Sequence, residues 1–296
     1  MHYLIEHETL LSFPKSVREH QCELRLAPRD SAVQQRLACR IEVEPDAPLR
    51  SHVDSFGNLV HRLSLLAPHE NLRVHVHAEV ETSLTNPFDY FPLAAADERA
   101  WLDRQLQEDP GLHDFVLHRS TAVPEMPGAL GDCKMPEYVA SRTLLENTQA
   151  AMAWATETFK YEPGTTDVHG PLTEFAARRT GVCQDFAHLF VALVRSWGFA
   201  ARYAMGYIDA GAVLESEPEV QATHAWTEVL IPGAGWRGID ATAGLLVNDA
   251  YIPVAVGRDS RDAAPVRGTF KGDDGGAAPR VSVKVSRREA QEQQVQ

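Results

Sequence analysis

Gly181-Val182-Cys183-Gln184-Asp185-Phe186-Ala187-His188-Leu189-Phe190-Val191-Ala192-Leu193-Val194-Arg195-Ser196-Trp197-Gly198 is the stretch that decides the fold. Phe186, Leu189, Phe190, Leu193, Val194 and Trp197 recur at i, i+3, i+4, i+7, i+8 and i+11, the apolar stripe of a helix lying on a core. Gly198 supplies the C-terminal stop. Cys183 falls one turn ahead of the stripe, at the helix N-terminus. Unpaired N–H groups and the positive end of the helix dipole favour an anionic, nucleophilic sulfur there. Gly181 permits a tight approach to the helix, and the N–H of Cys183 faces an oxyanion forming on its own substrate.

A helix of this kind needs a sheet beneath it, and the residues downstream provide one. Tyr203, Met205 and Tyr207 alternate as a strand. Ala225–Leu230 reads as a second, Pro232-Gly233-Ala234-Gly235 as a turn, and Trp236–Asp240 as the hairpin partner. His224 opens one strand and Asp240, sixteen residues later, closes the other, so pairing sets them side by side. His224 is then expected to take the thiol proton while Asp240 fixes its tautomer. Upstream, Leu144, Thr148, Met152, Ala155 and Phe159 share a face of a helix over 141–158, and Pro171 suits the first turn of a short helix to Arg178.

The chain of 296 residues suits two domains. Leu72, Val74, Val76, Ala78 and Val80 alternate with polar residues, as do Leu37, Cys39, Ile41 and Val43. Asp54-Ser55-Phe56-Gly57-Asn58 carries turn chemistry before a further strand, Leu59–Leu66. The expected fold class is α+β: an N-terminal antiparallel, sandwich-like β domain over 1–84, a proline-punctuated bridge over 85–136 with a helix at Ala94–Gln107, and a helix-on-sheet core over 137–270. A tail over 271–296 holds a short strand pattern at Val281, Val283 and Val285, and its last eight residues are expected to be disordered.

Composition narrows the function classes. With 44% hydrophobic and 23% charged residues the chain has material for a core. A formal net charge of −13 argues against a nucleic-acid backbone as ligand and slightly favours cationic or neutral substrates. No apolar run suits a membrane span, and the first residues lack the features of a signal peptide. Cys22, Cys39, Cys133 and Cys183 show no zinc spacing and are expected to be reduced thiols in the cytoplasm, the first three structural. No metal and no cofactor is expected. His75 and His77 share a strand face but read as a solvated one. Asp185 and His188 are expected to make structural hydrogen bonds. Trp226, Trp236 and Gln184 are candidate substrate contacts, with core packing the alternative for the two tryptophans. The acidic run with Glu215 and Glu217 either meets a cationic substrate or is a solvated loop.

Gly181-Val182-Cys183-Gln184-Asp185-Phe186-Ala187-His188, His224-Ala225-Trp226 and Gly235-Trp236-Arg237-Gly238-Ile239-Asp240-Ala241-Thr242 together closely resemble the bacterial transglutaminase-like superfamily. The resemblance implies a papain-like core with Cys183 as nucleophile, His224 as general base and acid, and Asp240 as orienting acid. Arg25–Arg29 and Asp54–Asn58 resemble the N-terminal region of many bacterial members, and Val256–Asp259 and Pro265–Gly268 their C-terminal stretch. Ala241-Thr242-Ala243 stands where the family usually has Pro-Thr-Asn. Members include protein cross-linkers, peptidases, amidases and inactive scaffolds. The activity expected here is acyl transfer on a peptide or protein carboxamide through a thioester, with hydrolysis preferred over transamidation and a non-catalytic scaffold as the rival. The N-terminal domain is expected to gate substrate or bind a partner.

Overall fold

Alternation at both ends of the chain builds one sheet, and the residues around the Gly181–Gly198 helix build the other. The computed structural model describes residues 1–126, 128–162, 170–213, 223–272 and 279–288. β1 (His2–Leu24), β2 (Gln34–Glu44), β3 (Arg50–Val53), β4 (Leu59–Leu65) and β5 (His69–Thr82) form an antiparallel sheet in the order β2-β5-β1-β4-β3. β1, 23 residues long, serves both halves of it. Its first part pairs with β5 and its last residues, His20–Leu24, with β4, and the register shifts between Ser12 and Val17. Extra residues at such a shift bend the strand, so the sandwich-like layer is one curled sheet. Leu72, Val74, Val76, Ala78 and Val80 form its buried face as the alternation requires. β2 departs from its own pattern. The register slips between Arg36 and Ala38, which leaves Leu37 46% exposed and not on the apolar face.

After β5 come α1 (Glu98–Glu108) and the single-turn α2 (Asp114–Leu117). The core follows as α3 (Leu144–Thr158), β6 (Lys160–Tyr161), α4 (Leu172–Arg178), β7 (Thr180–Gly181) and α5 (Cys183–Ser196). Then come β8 (Ala201–Ile208), the one-turn α6 (Ala210–Val213), β9 (His224–Ile231), β10 (Gly235–Asp240), β11 (Leu245–Leu246) and β12 (Tyr251–Gly257). α3 starts at Leu144 and not at Ser141 because Thr143 caps it: Glu146 N–H donates to Thr143 Oγ1 at 3.3 Å, and Thr143 N–H donates to the Glu146 carboxylate at 2.7 Å. Pro171 is the N-cap of α4 and stands just outside its first turn. The second sheet is antiparallel in the order β11-β10-β9-β8-β12. α5 lies on it with Leu189, Phe190, Leu193 and Val194 fully buried, and Gly198 ends the helix at φ 77°. This is a mixed α/β chain with a papain-like core. β13 (Val266–Lys271) and β14 (Arg280–Arg287) then return to the first sheet, each pairing with β1. The run with Glu215 and Glu217 and the last eight residues lie outside the described residues.

Arg195 anchors the C-terminal end of α5. Its buried guanidinium donates to the carbonyls of Phe115, His118, Ala201 and Arg258 at 2.9 to 3.0 Å. One side chain therefore ties α2, the strand after α5, and the end of β12 to one helix turn. Burial lowers the Arg195 pKa to about 9. Arg195→Leu keeps the bulk but orphans those buried carbonyls, at about 1–3 kcal/mol for each one left dry. Urea unfolding is expected to show a loss of at least about 3 kcal/mol, and an unchanged midpoint would show that Arg195 does not hold these segments.

Candidate active site

Cys183 is placed by the two residues before it and the acid after it. Asp185 reaches back to accept from Val182 N–H at 2.9 Å, satisfying a donor that a helix start leaves unpaired. The turn is so tight that a Cβ on Gly181 would lie 2.5 Å from Asp185 Oδ2 and 2.6 Å from Phe175 Cδ2, so only glycine fits. Cys183 is the first residue of α5 and is half-buried, open on one side. Gln184 follows it, half-buried on the first turn. His188 faces away, its Nε2 accepting from Ser260 N–H at 3.1 Å and its ring 5.1 Å from that of Tyr203.

His224 begins β9, and the hairpin brings Asp240 to it. Nε2 of His224 donates to Asp240 Oδ2 at 2.7 Å, and Cys183 lies near enough to the same imidazole to help hold its proton. With Nε2 engaged by the carboxylate, Nδ1 is the nitrogen left for sulfur. The three residues expected from sequence thus lie together, His224 bonded to Asp240 and Cys183 close to the imidazole. Asp240, 1% exposed, has every lone pair occupied. Oδ1 accepts from Thr242 N–H at 3.0 Å, from the Thr242 hydroxyl and from Ala243 N–H at 3.4 Å, while Oδ2 also accepts from the Tyr251 hydroxyl at 2.9 Å. The turn Ala241-Thr242-Ala243 therefore supplies backbone and hydroxyl donors without the proline or asparagine usual in the family.

The electrostatics follow from this packing. Burial opposes a charge on His224. The Asp240 charge and hydrogen bond, with help from Cys183, outweigh it and raise the imidazole to about 10. Burial likewise opposes the Asp240 carboxylate, yet His224, Thr242 and Tyr251 hold its pKa below the ordinary value. Tyr251 and Thr242 are residues that sequence reasoning missed. Thr242 carried a signal, since Asp-x-Thr is a local turn pattern. Tyr251 carried none, because β12 joins the sheet on the far side of β8.

The two tryptophans part company. Trp226, 1% exposed, stacks on His224 with ring centroids 6.2 Å apart and meets Tyr251 edge-on at 5.4 Å. It backs the imidazole from inside the protein. Trp236 pairs with Leu230 at the opposite end of β10 from Asp240, packed against Phe115 and under the Arg202 guanidinium at 4.0 Å. The structure does not bring it to the other candidate residues. Among the described residues no group of three or more His, Cys, Asp or Glu side chains is arranged to hold a metal ion, and no helix is long and apolar enough to cross a membrane.

Comparison with known proteins agrees with this geometry. Residues 136–241 match the transglutaminase-like superfamily core, and residues 3–81 match the bacterial transglutaminase-like N-terminal region. An uncharacterized protein of Mycobacterium leprae is 32% identical over 254 residues, covering 84% of this chain and 86% of its own length. One from Mycobacterium tuberculosis is 30% identical over 292 residues, covering 96% and 92%. The chain belongs to the transglutaminase-like superfamily. Its fold is shared with the crystal structure of a proposed cysteine protease from Cytophaga hutchinsonii, at TM-score 0.63 and 20% identity over 98% of this chain and 92% of that one. All three candidate residues fall within the transglutaminase-like core match.

The pair His224–Asp240 makes a signed prediction. A histidine raised to about 10 from its ordinary 6.5 adds stability that is full below 6.5 and is lost as pH rises through 10. Asp240→Asn removes the charge but not the burial, so the imidazole should be neutral at pH 7. NMR titration of His224 is expected to show that drop, and the stability loss between pH 6.5 and 10 should disappear with it. An unaltered titration in Asp240→Asn would mean that Asp240 does not hold the proton on His224.

Proposed function

We propose that the protein is a cysteine-dependent acyl-transfer enzyme acting on a peptide or carboxamide. Cys183 is the nucleophile, His224 the general base and acid, and Asp240 the group that orients and charges the imidazole. The observation that carries this reading is the buried His224–Asp240 hydrogen bond, with every Asp240 lone pair occupied, set beside Cys183 at the start of α5. Membership of the transglutaminase-like superfamily supports cysteine-based catalysis in general. In the first half-reaction the Cys183 thiolate bonds the carbonyl carbon, the proton given up by the thiol already resting on His224 as imidazolium. The imidazolium then gives its proton to the departing amine, leaving a thioester. A persistent imidazolium suits this second task. Water, activated by the now neutral His224, resolves the thioester. Hydrolysis is the outcome proposed, as a peptidase or amidase, because it needs no second bound amine. Gln184, next to the sulfur on the first turn of α5, is the proposed substrate contact. The cytoplasm is the compartment proposed, since all four cysteines are free thiols.

Intact-mass analysis of glutamine-containing peptides, with and without a primary amine, tests the reading. A mass change in water alone that disappears in Cys183→Ala is expected. His224→Ala should be nearly as inactive, while Asp240→Ala should cost less by roughly one to two orders of magnitude. Incorporation of the amine would make the protein a transglutaminase instead. A scaffold role follows if no peptide changes mass and iodoacetamide alkylates Cys183 no faster than a free thiol.

A further inference from the structure

Acyl transfer through Cys183 makes one demand that the line of three residues leaves unmet. The tetrahedral adduct puts negative charge on the former carbonyl oxygen, and a lasting site offers it more than one donor. The N–H of Cys183, at the start of α5 where a helix leaves its first donors without intrahelical partners, is the first. Trp226 Nε1 has no partner among the described residues, but its ring is 1% exposed behind His224, where no substrate oxygen reaches. Trp236 sits at the far end of β10.

Tyr161 differs from both. It lies in β6, which pairs in parallel with β7 and sets Tyr161 opposite Gly181, two residues before the nucleophile. Lys160 N–H donates to Arg179 O and Glu162 N–H to Gly181 O, each at 2.9 Å, so Tyr161 is bound on both sides to the segment that runs into Cys183. Its side chain is 44% exposed, facing solvent and not the core. The phenol lies within electrostatic reach of both Cys183 and Asp240, and its hydroxyl has no hydrogen bond to a described residue. We propose that the Tyr161 hydroxyl is the second donor to the oxyanion formed when Cys183 attacks a carbonyl. Partial burial, then the negative groups at Cys183 and Asp240, raise its pKa, so it keeps its proton and stays a donor through the neutral range.

The step balances without any further reactant. Sulfur forms a bond to the carbonyl carbon, the C=O π pair moves onto oxygen, and the thiol proton rests on His224. Tyr161 and the Cys183 N–H donate to that oxygen and give up no proton. On collapse the pair returns, and the leaving group departs with its bonding electrons. The inference rests on the acyl-transfer reading above, and two small reagents separate the two. 4-Nitrophenyl acetate acylates a thiolate through an oxyanion, whereas iodoacetamide alkylates it at saturated carbon and forms none.

Both rates at Cys183 are to be measured in the wild-type chain, Tyr161→Phe and Tyr161→Ala, with Cys183→Ala as background. Tyr161→Phe is expected to slow acylation by about a hundredfold while alkylation changes by no more than about twofold. Three outcomes would overturn the proposal: acylation at the wild-type rate in Tyr161→Phe, full rescue of a slow Tyr161→Ala by phenylalanine, or equal loss of both rates. The first says that the hydroxyl is not used, the second that only the ring's bulk matters, the third that Tyr161 acts on the thiol. A wild-type Cys183 inert to both reagents would instead remove the acyl-transfer reading itself.

Discussion

The Thr227 hydroxyl donates to Ala187 O at 2.8 Å, and the candidate site depends on that bond more than on any other single contact. Apolar packing of α5 on β8 and β9 is favourable but non-directional, and helix and sheet joined by it alone have several nearly equal seatings. A hydrogen bond in the dry interface selects one of them, because any slip leaves a hydroxyl or carbonyl unpaired at a cost of about 1–3 kcal/mol. Ala187 is one turn beyond Cys183, and Thr227 is three residues along β9 from His224. The bond therefore fixes the sulfur against the imidazole. Arg195 does the same for the other end of the helix, where its guanidinium gathers carbonyls from three segments.

Around this seating the site is built as a charge held in place by dipoles. Asp240 is a full charge almost sealed from solvent, and it survives burial because hydrogen bonds from Thr242, Ala243, Tyr251 and His224 replace its hydration. The carboxylate then holds the imidazolium, and the imidazolium faces the thiol. Trp226 closes the back of this arrangement, and room for it comes from Gly206. A Cβ there would lie 2.1 Å from Ile252 O and 2.8 Å from Trp226 Cη2. The glycine lets β8 and β12 close on each other while the indole presses on His224.

What the sequence made legible was whatever is encoded locally. The stripe from Phe186 to Trp197, the hairpin that joins His224 to Asp240, and the alternation in β5 each depend on residues close in the chain, so periodicity and turn chemistry reveal them. What stayed hidden depends on partners far apart. Alternation shows that β14 is a strand but not that it pairs with β1, since nothing in Val281, Val283 and Val285 names His7 or Thr9. Nothing near Arg195 in the chain marks it for burial, and only the convergence of four carbonyls explains it. Trp236 lies close in sequence to Asp240, yet the strand between them carries it to the opposite end of β10. Leu37 fits a period-2 pattern that a register shift then interrupts.

The N-terminal sheet has a part in the site that neither gating nor partner binding requires. β12 is the last strand of the second sheet and would present an unpaired edge. Residues of the first sheet cover it. Arg29 N–H and Gln34 Nε2 donate to Pro253 O at 3.0 and 2.9 Å, and Asn58 bonds both to Val256 N–H and to Val256 O at 2.8 Å. The Tyr207 hydroxyl on β8 donates to Leu26 O at 2.9 Å beside them. Proline cannot donate to a ladder, so its carbonyl and the valine amide are the groups an edge would leave open. Tyr251, at the start of this same strand, holds Asp240. A fixed β12 fixes the phenol, the phenol helps to fix the carboxylate, and the carboxylate sets the charge on His224. Through β12 the first sheet therefore bears on the charge at His224, and the β layer is a structural support of the candidate site.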